Sequence, residues 1–388
     1  MSILTPKSAA KGRRLSIVAD QAMTGLLPLV DGWADVITVA GREISRRHLS
    51  EADVLLVRSI TQVNQQLLRD GCVSFVGTAT IGTDHIDLNL LEHSGVGFAY
   101  APGCNANAVV DYVMSVILSS LSIADLRGQR IGVVGYGNVG RRLAACLNYF
   151  GLQCYVYDPL LDLAELDQME HCHSVSNLDG ILDCDIVSLH VPLTRTGNAA
   201  TEHMLDLVAL KKLRKNATLI NTSRGAVINN HDLFELLSKR NDLVVALDVW
   251  EFEPQPLKKL VERVSYATPH IAGYSSAGKV RGTQMIVSAM LKYYAGASSC
   301  KNYCLPEQVT LTPLACVGIQ NHPQLEAYAK KLMLIFPLEQ ETQSFKRDMM
   351  NTPADQIPEV FDRLRKDYQL REEFDYTALI NTVVEHCS

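Results

Sequence analysis

Three residues in the second half of the chain have side chains that could act together. Arg224 lies in NTSRGAV, Glu253 in LDVWEFEP and His270 in TPHIAGY, and each follows an apolar run typical of a buried strand. If these runs are parallel strands of one sheet, their carboxyl ends place the three side chains in one crevice. An imidazole oriented by a carboxylate takes a proton from a hydroxyl group, and a guanidinium binds a carboxylate. The three residues therefore predict a site for a small hydroxy acid.

Taken singly, each of these residues also has a structural interpretation. A His beside Pro is often a hydrogen-bonded structural residue, a Glu before Pro often caps a helix, and an Arg before Gly often belongs to a turn. The occurrence of all three at strand ends favours the chemical interpretation.

A glycine motif precedes these residues. Gly135, Gly137 and Gly140 form GxGxxG between the strand-like IGVV and a helix-like segment that begins with Asn138 and Val139. The first glycine permits a tight turn, the second lets the backbone approach a pyrophosphate, and the third lets helix and strand pack closely. The motif predicts a dinucleotide on the helix N-terminus.

Asp158 indicates which dinucleotide. It ends the next strand, about twenty residues beyond the glycines, where a carboxylate accepts hydrogen bonds from the adenosine ribose. This carboxylate would repel a 2′-phosphate, and Pro159 and Leu160 follow it rather than a basic residue. NAD is therefore expected instead of NADP. The alternative is a structural turn with an Asp that caps a helix.

The elements that must position these residues alternate along the chain. Short strand-like runs such as LSIVAD, ADVLLV and VSFVGTA precede a long apolar stretch at 106–124, and a second series from RIGVVGYG to VSYATPH follows it. This pattern predicts an α/β protein with a doubly wound Rossmann domain at 108–267. A second, flavodoxin-like α/β lid domain that binds substrate is expected at 14–107 with 268–298, and a small C-terminal α+β domain at 300–388.

Composition excludes several classes of protein. The 388 residues carry a net charge of -6 with scattered Lys and Arg, so neither nucleic acid nor a membrane surface is an expected partner. The ten Cys lack zinc-site spacing, so reduced thiols, no metal and a cytoplasmic location are expected. Residues 1–13 are interpreted as a frayed end, with a fragment of a targeting peptide as the alternative.

The motifs together resemble a known family. GxGxxG, NTSRG, DVWEFEP and PHIAGY occur here in the order found in the D-isomer-specific 2-hydroxyacid dehydrogenases, and the resemblance covers residues 15–294. It implies NAD-dependent hydride removal from a 2-hydroxy acid, with Arg224, Glu253 and His270 in the roles given above. It also implies that Asp248 holds the nicotinamide carboxamide and that residues 105–109 lie near the cofactor.

Other stretches resemble one branch of that family. They include VRSITQVN, GTATIGTDHID, HIAGYSSAGKVRGT and the tail FDRLRKDYQLREEF. This branch acts on a small phosphorylated 2-hydroxy acid and dimerises through its C-terminal domain. The resemblance implies that Ser59, Thr80 and Tyr274 contact the substrate, that Gly273 lies at the cofactor, and that the protein is a homodimer.

The sequence departs from the expected pattern at two places. Val191 stands in HVP where HTP is expected, so only its backbone is available for a cofactor contact. Glu372 and Glu373 stand where a basic tail is expected, which bears on the contact between subunits.

A site for the substrate phosphate is predicted after the strand ADVLLV. Arg58, Ser59 and Thr61 offer a guanidinium fork and two hydroxyl groups there. The alternative is a solvated loop. Arg363 and Arg365 in the tail are weaker candidates, as residues that reach into a partner's site.

Two rival functions remain open at this stage. One is another D-2-hydroxyacid dehydrogenase, such as one that acts on D-3-phosphoglycerate, because the catalytic residues would be shared. The other is a non-enzymatic NAD-sensing scaffold on the same fold. Intact Arg224, Glu253 and His270 favour an enzyme whose two domains close on the substrate, with hinges near 105–110 and 268–278.

Overall fold

The computed structural model describes residues 14–161, 164–294 and 322–374. Contacts group the described chain into two compact units. The first unit contains residues 14–105 and 276–294, and the second contains residues 106–275, apart from the gap, together with 322–374. The three-domain boundaries drawn from the sequence stay a prediction.

The strands are short and mostly buried. They are β1 (Leu15–Asp20), β2 (Ala34–Val39), β3 (Val54–Val57), β4 (Phe75–Thr78), β5 (Gly97–Tyr100), β6 (Arg130–Val134), β7 (Gln153–Tyr157), β8 (Cys172–Ser174), β9 (Ile186–Leu189), β10 (Thr218–Asn221), β11 (Val244–Leu247) and β12 (Tyr266–Ala267).

Helices alternate with the strands and then continue alone after β12. They are α1 (Leu26–Val30), α2 (Gln65–Leu68), α3 (Leu88–His93), α4 (Ala106–Ser120), α5 (Ile123–Leu126), α6 (Asn138–Tyr149), α7 (Leu178–Leu182), α8 (Leu207–Leu210), α9 (Asn230–Leu237), α10 (Lys258–Arg263), α11 (Ser276–Tyr293), α12 (His322–Ile335), α13 (Leu338–Asn351) and α14 (Ile357–Lys366).

The first unit is built on a five-stranded parallel sheet in the order β2-β1-β3-β4-β5. This is the flavodoxin-like order predicted from the sequence. The central strands β3 and β4 are buried along their whole length because helices cover both faces of a parallel sheet. Ile286 and Met290 of α11 complete one side of this core.

The second unit is built on a seven-stranded parallel sheet in the order β12-β11-β10-β9-β6-β7-β8. The order reverses between β6 and β9, as the doubly wound prediction requires. Helix α4, predicted from the apolar stretch at 106–124, is buried along most of its length in this unit.

The described part of the tail is helical and packs on the second unit. Tyr328 and Leu332 of α12 share a hydrophobic cluster with α4 and β6, and Phe345 of α13 and Phe361 of α14 share another with Trp250. A fully buried side chain of this size contributes about 1.5–3 kcal/mol. The remainder of the predicted α+β tail, residues 295–321 and 375–388, lies outside the described residues.

Two further features concern the described part of the chain. Its helices include none with the length and hydropathy that crossing a bilayer requires. Its cysteines carry free thiols, and they are Cys72, Cys104, Cys146, Cys154, Cys172 and Cys184.

Candidate active site

The predicted residues of the second unit follow the carboxyl ends of neighbouring strands. Gly135 follows β6, Asp158 follows β7, Val191 comes after β9, Arg224 after β10, Asp248 after β11 and His270 after β12. Because all these strands are parallel, the residues share one edge of the sheet, which is where open α/β sheets bind ligands.

His270 and Glu253 form a hydrogen-bonded pair. The Nδ1 atom of His270 lies 2.7 Å from Oε2 of Glu253, and the two side chains are 33% and 20% exposed. An ionised carboxylate only accepts hydrogen bonds, so Nδ1 carries a proton and Nε2 holds the lone pair of the neutral ring. Among the described residues Nε2 has no hydrogen-bond partner. This is the geometry of a base with its orienting carboxylate.

The charge of Glu253 is maintained by its surroundings. Burial raises its pKa, but the positive charge that His270 carries once protonated, the hydrogen bond to His270 and the charge of Arg365 lower the pKa further, to below its ordinary value. The second oxygen, Oε1, accepts a hydrogen bond from the backbone of Trp250 at 2.8 Å. The indole of Trp250 donates to the carbonyl of Thr268 at 3.0 Å, so the loops carrying Glu253 and His270 are joined.

Asp248 holds the loop that carries His270. Its Oδ1 accepts from the backbone of Ile271 and from the Thr268 hydroxyl, both at 2.7 Å, and its Oδ2 accepts from the backbone of Ala272 at 3.0 Å. The carbonyl of Asp248 also accepts from the amide of His270 at 2.7 Å. Asp248 therefore has an observed structural role, and its contact with nicotinamide stays a prediction.

Arg224 lies beside the loop of Glu253. The next residue, Gly225, packs so closely that a Cβ atom there would come within 1.9 Å of the backbone of Trp250. Asn221 fixes the turn by donating to the carbonyl of Arg224 at 2.9 Å, and Nη1 of Arg224 donates to the carbonyl of Ser223 at 2.8 Å. The close packing at Gly225 thus places the backbones that carry Arg224 and Glu253 side by side.

The glycine loop has the shape that a dinucleotide requires. Gly135 has φ of 93°, which favours glycine, and a Cβ on Gly140 would lie 1.9 Å from the carbonyl oxygen of Gly135. A Cβ on Gly137 would meet no atom of the described residues within 4 Å, and α6 begins after it without a side-chain cap. The start of α6 therefore lacks a side-chain cap and has room beside Gly137, which fits a pyrophosphate on the helix N-terminus.

Asp158 belongs to the same loop. Its Oδ2 accepts from the amide of Tyr136 at 2.8 Å and its Oδ1 from the amide of Leu160 at 3.0 Å. Each oxygen has a further lone pair, so the structural role leaves capacity for ribose hydroxyls. Val191 packs beneath the loop, because a Cβ on Gly135 would lie 2.9 Å from its Cγ1. The Val191 side chain thus contributes packing, whereas the Thr expected at this position would have offered a hydroxyl group.

Gly273 and Tyr274 follow His270 on the same loop. Both are partly exposed, and Tyr274 stacks edge-on against Tyr368 with ring centroids 6.2 Å apart. The guanidinium of Arg365 lies 5.9 Å from the centre of the Tyr274 ring. Arg365 therefore lies beside Tyr274, and its charge acts on Glu253 of its own chain. Sequence reasoning missed this placement because α14 lies about ninety residues after Tyr274.

The predicted phosphate residues lie in the first unit. Arg58 and Ser59 follow β3 and Thr80 follows the neighbouring β4, so they share one edge of the five-stranded sheet. The Nη1 atom of Arg58 is buried without a hydrogen-bond partner among the described residues, and Ser59 is exposed. Thr61 does not fit the prediction, because its hydroxyl is buried and donates to the carbonyl of Gly41 at 2.8 Å.

Two charged residues beside Arg58 were missed by sequence reasoning. Asp20 is 1% exposed, its Oδ2 has no partner among the described residues, and burial raises its pKa. Burial and the charge of Arg58 lower the pKa of Lys279 to about 8, against the opposing effect of Asp20. The only signal in the sequence was the position of Asp20 at the end of the first strand. Lys279 is partly buried in α11, where a Lys normally looks like a surface residue.

The described residues contain no group of three or more His, Cys, Asp or Glu side chains that could hold a metal ion. The roles of the predicted residues toward cofactor and substrate stay predictions.

Comparison with solved structures establishes the fold. The chain superposes on NAD-bound 3-phosphoglycerate dehydrogenase of Entamoeba histolytica with a TM-score of 0.62 and 21% identity, covering 76% of this chain and 99% of that one. D-lactate dehydrogenase of Aquifex aeolicus, in complex with NAD and lactic acid, gives 0.61 and 22%, covering 76% and 100%.

Comparison of sequences identifies the family. Residues 114–272 match the family model described as the NAD binding domain of D-isomer specific 2-hydroxyacid dehydrogenase. Erythronate-4-phosphate dehydrogenase of Shewanella loihica is 38% identical over 373 residues, which cover 95% of each chain. The enzyme of the same name from Pseudomonas putida is 39% identical over 369 residues, covering 94% of each. The chain therefore belongs to the D-isomer-specific 2-hydroxyacid dehydrogenase family, in the group of the erythronate-4-phosphate dehydrogenases.

Proposed function

We propose that this protein oxidises 4-phospho-D-erythronate at C2 to 3-hydroxy-2-oxo-4-phosphooxybutanoate with NAD, a step in pyridoxal 5′-phosphate (vitamin B6) biosynthesis. The observation that carries the proposal is the pair of His270 and Glu253, joined at 2.7 Å with Nε2 left open, on the sheet edge that also bears the glycine loop. The substrate is taken from the relatives at 38–39% identity, whose name states it.

The residues divide the chemistry between them. The glycine loop and Asp158 would hold NAD, which would supply the acceptor for the hydride that leaves C2 of the substrate. Nε2 of His270 takes the proton of the C2 hydroxyl, so the ring becomes an imidazolium. The ionised Glu253 stabilises this cation through Nδ1. Arg224 binds the substrate carboxylate and polarises the forming C2 carbonyl.

The phosphate of the substrate is assigned to the first unit. Arg58 is the main candidate because its buried Nη1 donor lacks a partner in the described chain, and a buried donor is costly to leave unpaired. Ser59 and Thr80 supply hydroxyls on the same sheet edge, and Tyr274 is a further substrate contact. Gly135, Asp158, Val191, Asp248 and Gly273 are assigned to NAD.

The competing assignment is D-3-phosphoglycerate or another D-2-hydroxy acid. The matched relatives named for erythronate 4-phosphate extend over 94–95% of this chain, whereas the solved structures of other dehydrogenases cover 76%. The longer match favours the erythronate assignment. A non-enzymatic scaffold is disfavoured by the paired geometry of His270 and Glu253.

The deciding experiment follows NADH absorbance in a stopped-flow instrument with enzyme, NAD and 4-phosphoerythronate, in parallel with 3-phosphoglycerate. A burst or turnover with the first substrate alone supports the proposal. Activity with 3-phosphoglycerate alone supports the assignment to D-3-phosphoglycerate. If neither substrate yields NADH, the result supports the non-enzymatic scaffold. Erythronate without its phosphate is the matched control, since it retains the reacting carbon.

The assembly and location belong to the same proposal. We expect a homodimer, because the resemblance implies a dimerising C-terminal domain, and a cytoplasmic location, because the cysteines follow the pattern of reduced thiols. Light scattering of the purified full chain tests the mass, and a monomer at assay concentration that is fully active would remove the dimer from the proposal.

A further inference from the structure

The loop that carries His270 is held from two opposite sides. Its amide groups, at Ile271 and Ala272, donate to the carboxylate of Asp248. Its carbonyl groups accept from Arg371, a residue of the tail about one hundred positions later. Nη1 of Arg371 donates to the carbonyls of Ile271 and Tyr274, each at 3.0 Å, and Nη2 donates to the carbonyl of Ala272. Asp248 and Arg371 thus clamp one backbone segment between a carboxylate and a guanidinium.

Arg371 also joins this loop to the start of α4. Nη2 donates to the carbonyl of Ala108 at 2.8 Å, so all four Nη hydrogens are used. The guanidinium is buried, with 6% of the residue exposed, and lies 4.7 Å from the centre of the Phe336 ring. A planar fork can reach four carbonyl groups at once, which the single ammonium of a Lys cannot.

Residues 371–374, here called the C-terminal strap, make further contacts with the same two segments. Ser275 donates to Glu373 at 2.6 Å, and the amide of Phe374 donates to Asp111 of α4 at 2.9 Å. Ser275 also forms an isolated parallel β-bridge with Arg371. The C-terminal strap therefore bonds both to α4 and to Ser275, at the end of the loop that carries His270.

The backbone at His270 needs such support. Its φ is 58°, in the left-handed region that non-glycine residues avoid. A strained residue of this kind persists where its surroundings over-determine its conformation, and such residues cluster at active sites. The bonds from Asp248 on one side and Arg371 on the other supply that constraint.

We propose that Arg371 is a positioning residue of the dehydrogenase, which acts by holding the loop so that Nε2 of His270 meets the substrate hydroxyl. This inference rests on the proposed function. It gives the C-terminal strap a role within its own subunit, in addition to any role in dimerisation.

The test compares Arg371→Met and Arg371→Lys with Arg240→Met in the full-length protein. Arg240 is a matched control, since it donates to the carbonyls of Leu213 and Arg214 at 2.8 Å in the same unit but not to the catalytic loop. With 4-phosphoerythronate, R371M should lower kcat by about 10²-fold, as expected for a reacting group displaced by about 1 Å. NAD affinity should stay close to that of the wild type, and R371K should recover only part of kcat.

A second measurement does not depend on turnover. In ¹⁵N-labelled protein without substrate, the Nδ1 proton of His270 should give a downfield resonance from its bond to Glu253, and R371M should weaken or shift it. Guanidinium ion added to Arg371→Gly should restore kcat in part. Should R371M not fold, Glu373→Gln, which weakens the strap at Ser275, is expected to lower kcat less but in the same direction.

The outcomes separate the two proposals. An R371M protein with an unchanged resonance and a kcat equal to that of R240M would overturn the positioning role. A parallel loss of NAD affinity, kcat and melting temperature, without rescue by guanidinium, would reduce Arg371 to a structural residue and also overturn it. A wild type that is inactive on 4-phosphoerythronate while the resonance responds to R371M would contradict the proposed substrate alone.

Discussion

The charged groups around His270 in the second unit are more fully hydrogen-bonded than those around Arg58 in the first. In the second unit Glu253 and Asp248 accept hydrogen bonds at both carboxylate oxygens, and the four Nη hydrogens of Arg371 are donated to backbone carbonyls. Nε2 of His270 is left open, and the Nε atoms of Arg365 and Arg371 are buried without a partner among the described residues. In the first unit Asp20 is buried and Arg58 is partly buried, and each has a buried polar atom, Oδ2 of Asp20 and Nη1 of Arg58, with no partner within the described residues. The hydrogen bonds that hold the loop of His270 are therefore made before substrate arrives, whereas Nη1 of Arg58 has a hydrogen bond still to make.

This difference indicates that the second unit determines the rate of the chemical step and the first determines the affinity for substrate. A preorganised base needs no rearrangement when the reaction occurs, so its contacts act on kcat. A buried charged donor without a partner gains a hydrogen bond only when an anion binds, so its contact acts on affinity. Substitutions in the second unit should thus change kcat, and substitutions in the first should change KM.

The sharpest test of the catalytic half is His270→Asn. Without the base, kcat should fall by about 10³-fold or more, because a positioned general base contributes about 10²–10⁴-fold. NAD affinity, measured by calorimetry, should be nearly unchanged. Turnover at the wild-type rate would show that His270 is not the base, and it would contradict the assignment of kcat to the second unit.

The next effect is expected for Glu253→Gln. This change keeps the size of the side chain but removes the charge that stabilises the imidazolium, so kcat should fall by about 10²-fold with little change in KM. Glu251→Gln is the matched control, since Glu251 bonds to His203 at 2.6 Å rather than to His270. Equal losses in both variants, measured by steady-state NADH production, would contradict the orienting role.

The first unit is tested by Arg58→Met. Losing one charge-assisted hydrogen bond, worth about 1.5–3 kcal/mol, should raise KM for the phosphorylated substrate by about 10- to 10²-fold with kcat nearly kept. Activity on unphosphorylated erythronate should not respond. Arg69→Met, which changes an exposed arginine of the same unit, is the control. A loss confined to kcat would contradict the prediction that substitutions in the first unit change KM.

The smallest effect is expected in the pH profile. Because the pKa of Lys279 is lowered to about 8, its charge is present below that pH and is lost as the pH rises through it. If this charge assists anion binding, kcat/KM should decline several-fold above about pH 8. Lys279→Arg keeps its charge and should move the decline to higher pH. An identical profile in both proteins would place Lys279 outside the binding site.

Local motifs made part of the site predictable from the sequence. The turn at Gly135, the N-terminus of α6 and the carboxylate of Asp158 lie within about 25 residues, and their geometry follows from strand, turn and helix in order. Arg224, Glu253 and His270 were predictable because each follows a recognisable strand, and parallel strands bring their ends to one edge. The same alternation of elements made two parallel α/β sheets predictable, although it does not by itself fix the order of their strands.

The long-range partners were not predictable. Asp248 bonds to amides 23 and 24 positions away, and Arg371 bonds to carbonyls about one hundred and 263 positions away. Thr61 was assigned to the phosphate, but its hydroxyl bonds to Gly41, twenty positions earlier. The sequence alone determined which residue types occupy the strand ends, because hydrophobic periodicity and glycine geometry are local properties. Only the tertiary structure decided which buried charges are paired and which remain open, because hydrogen bonds depend on distances that folding creates between remote segments.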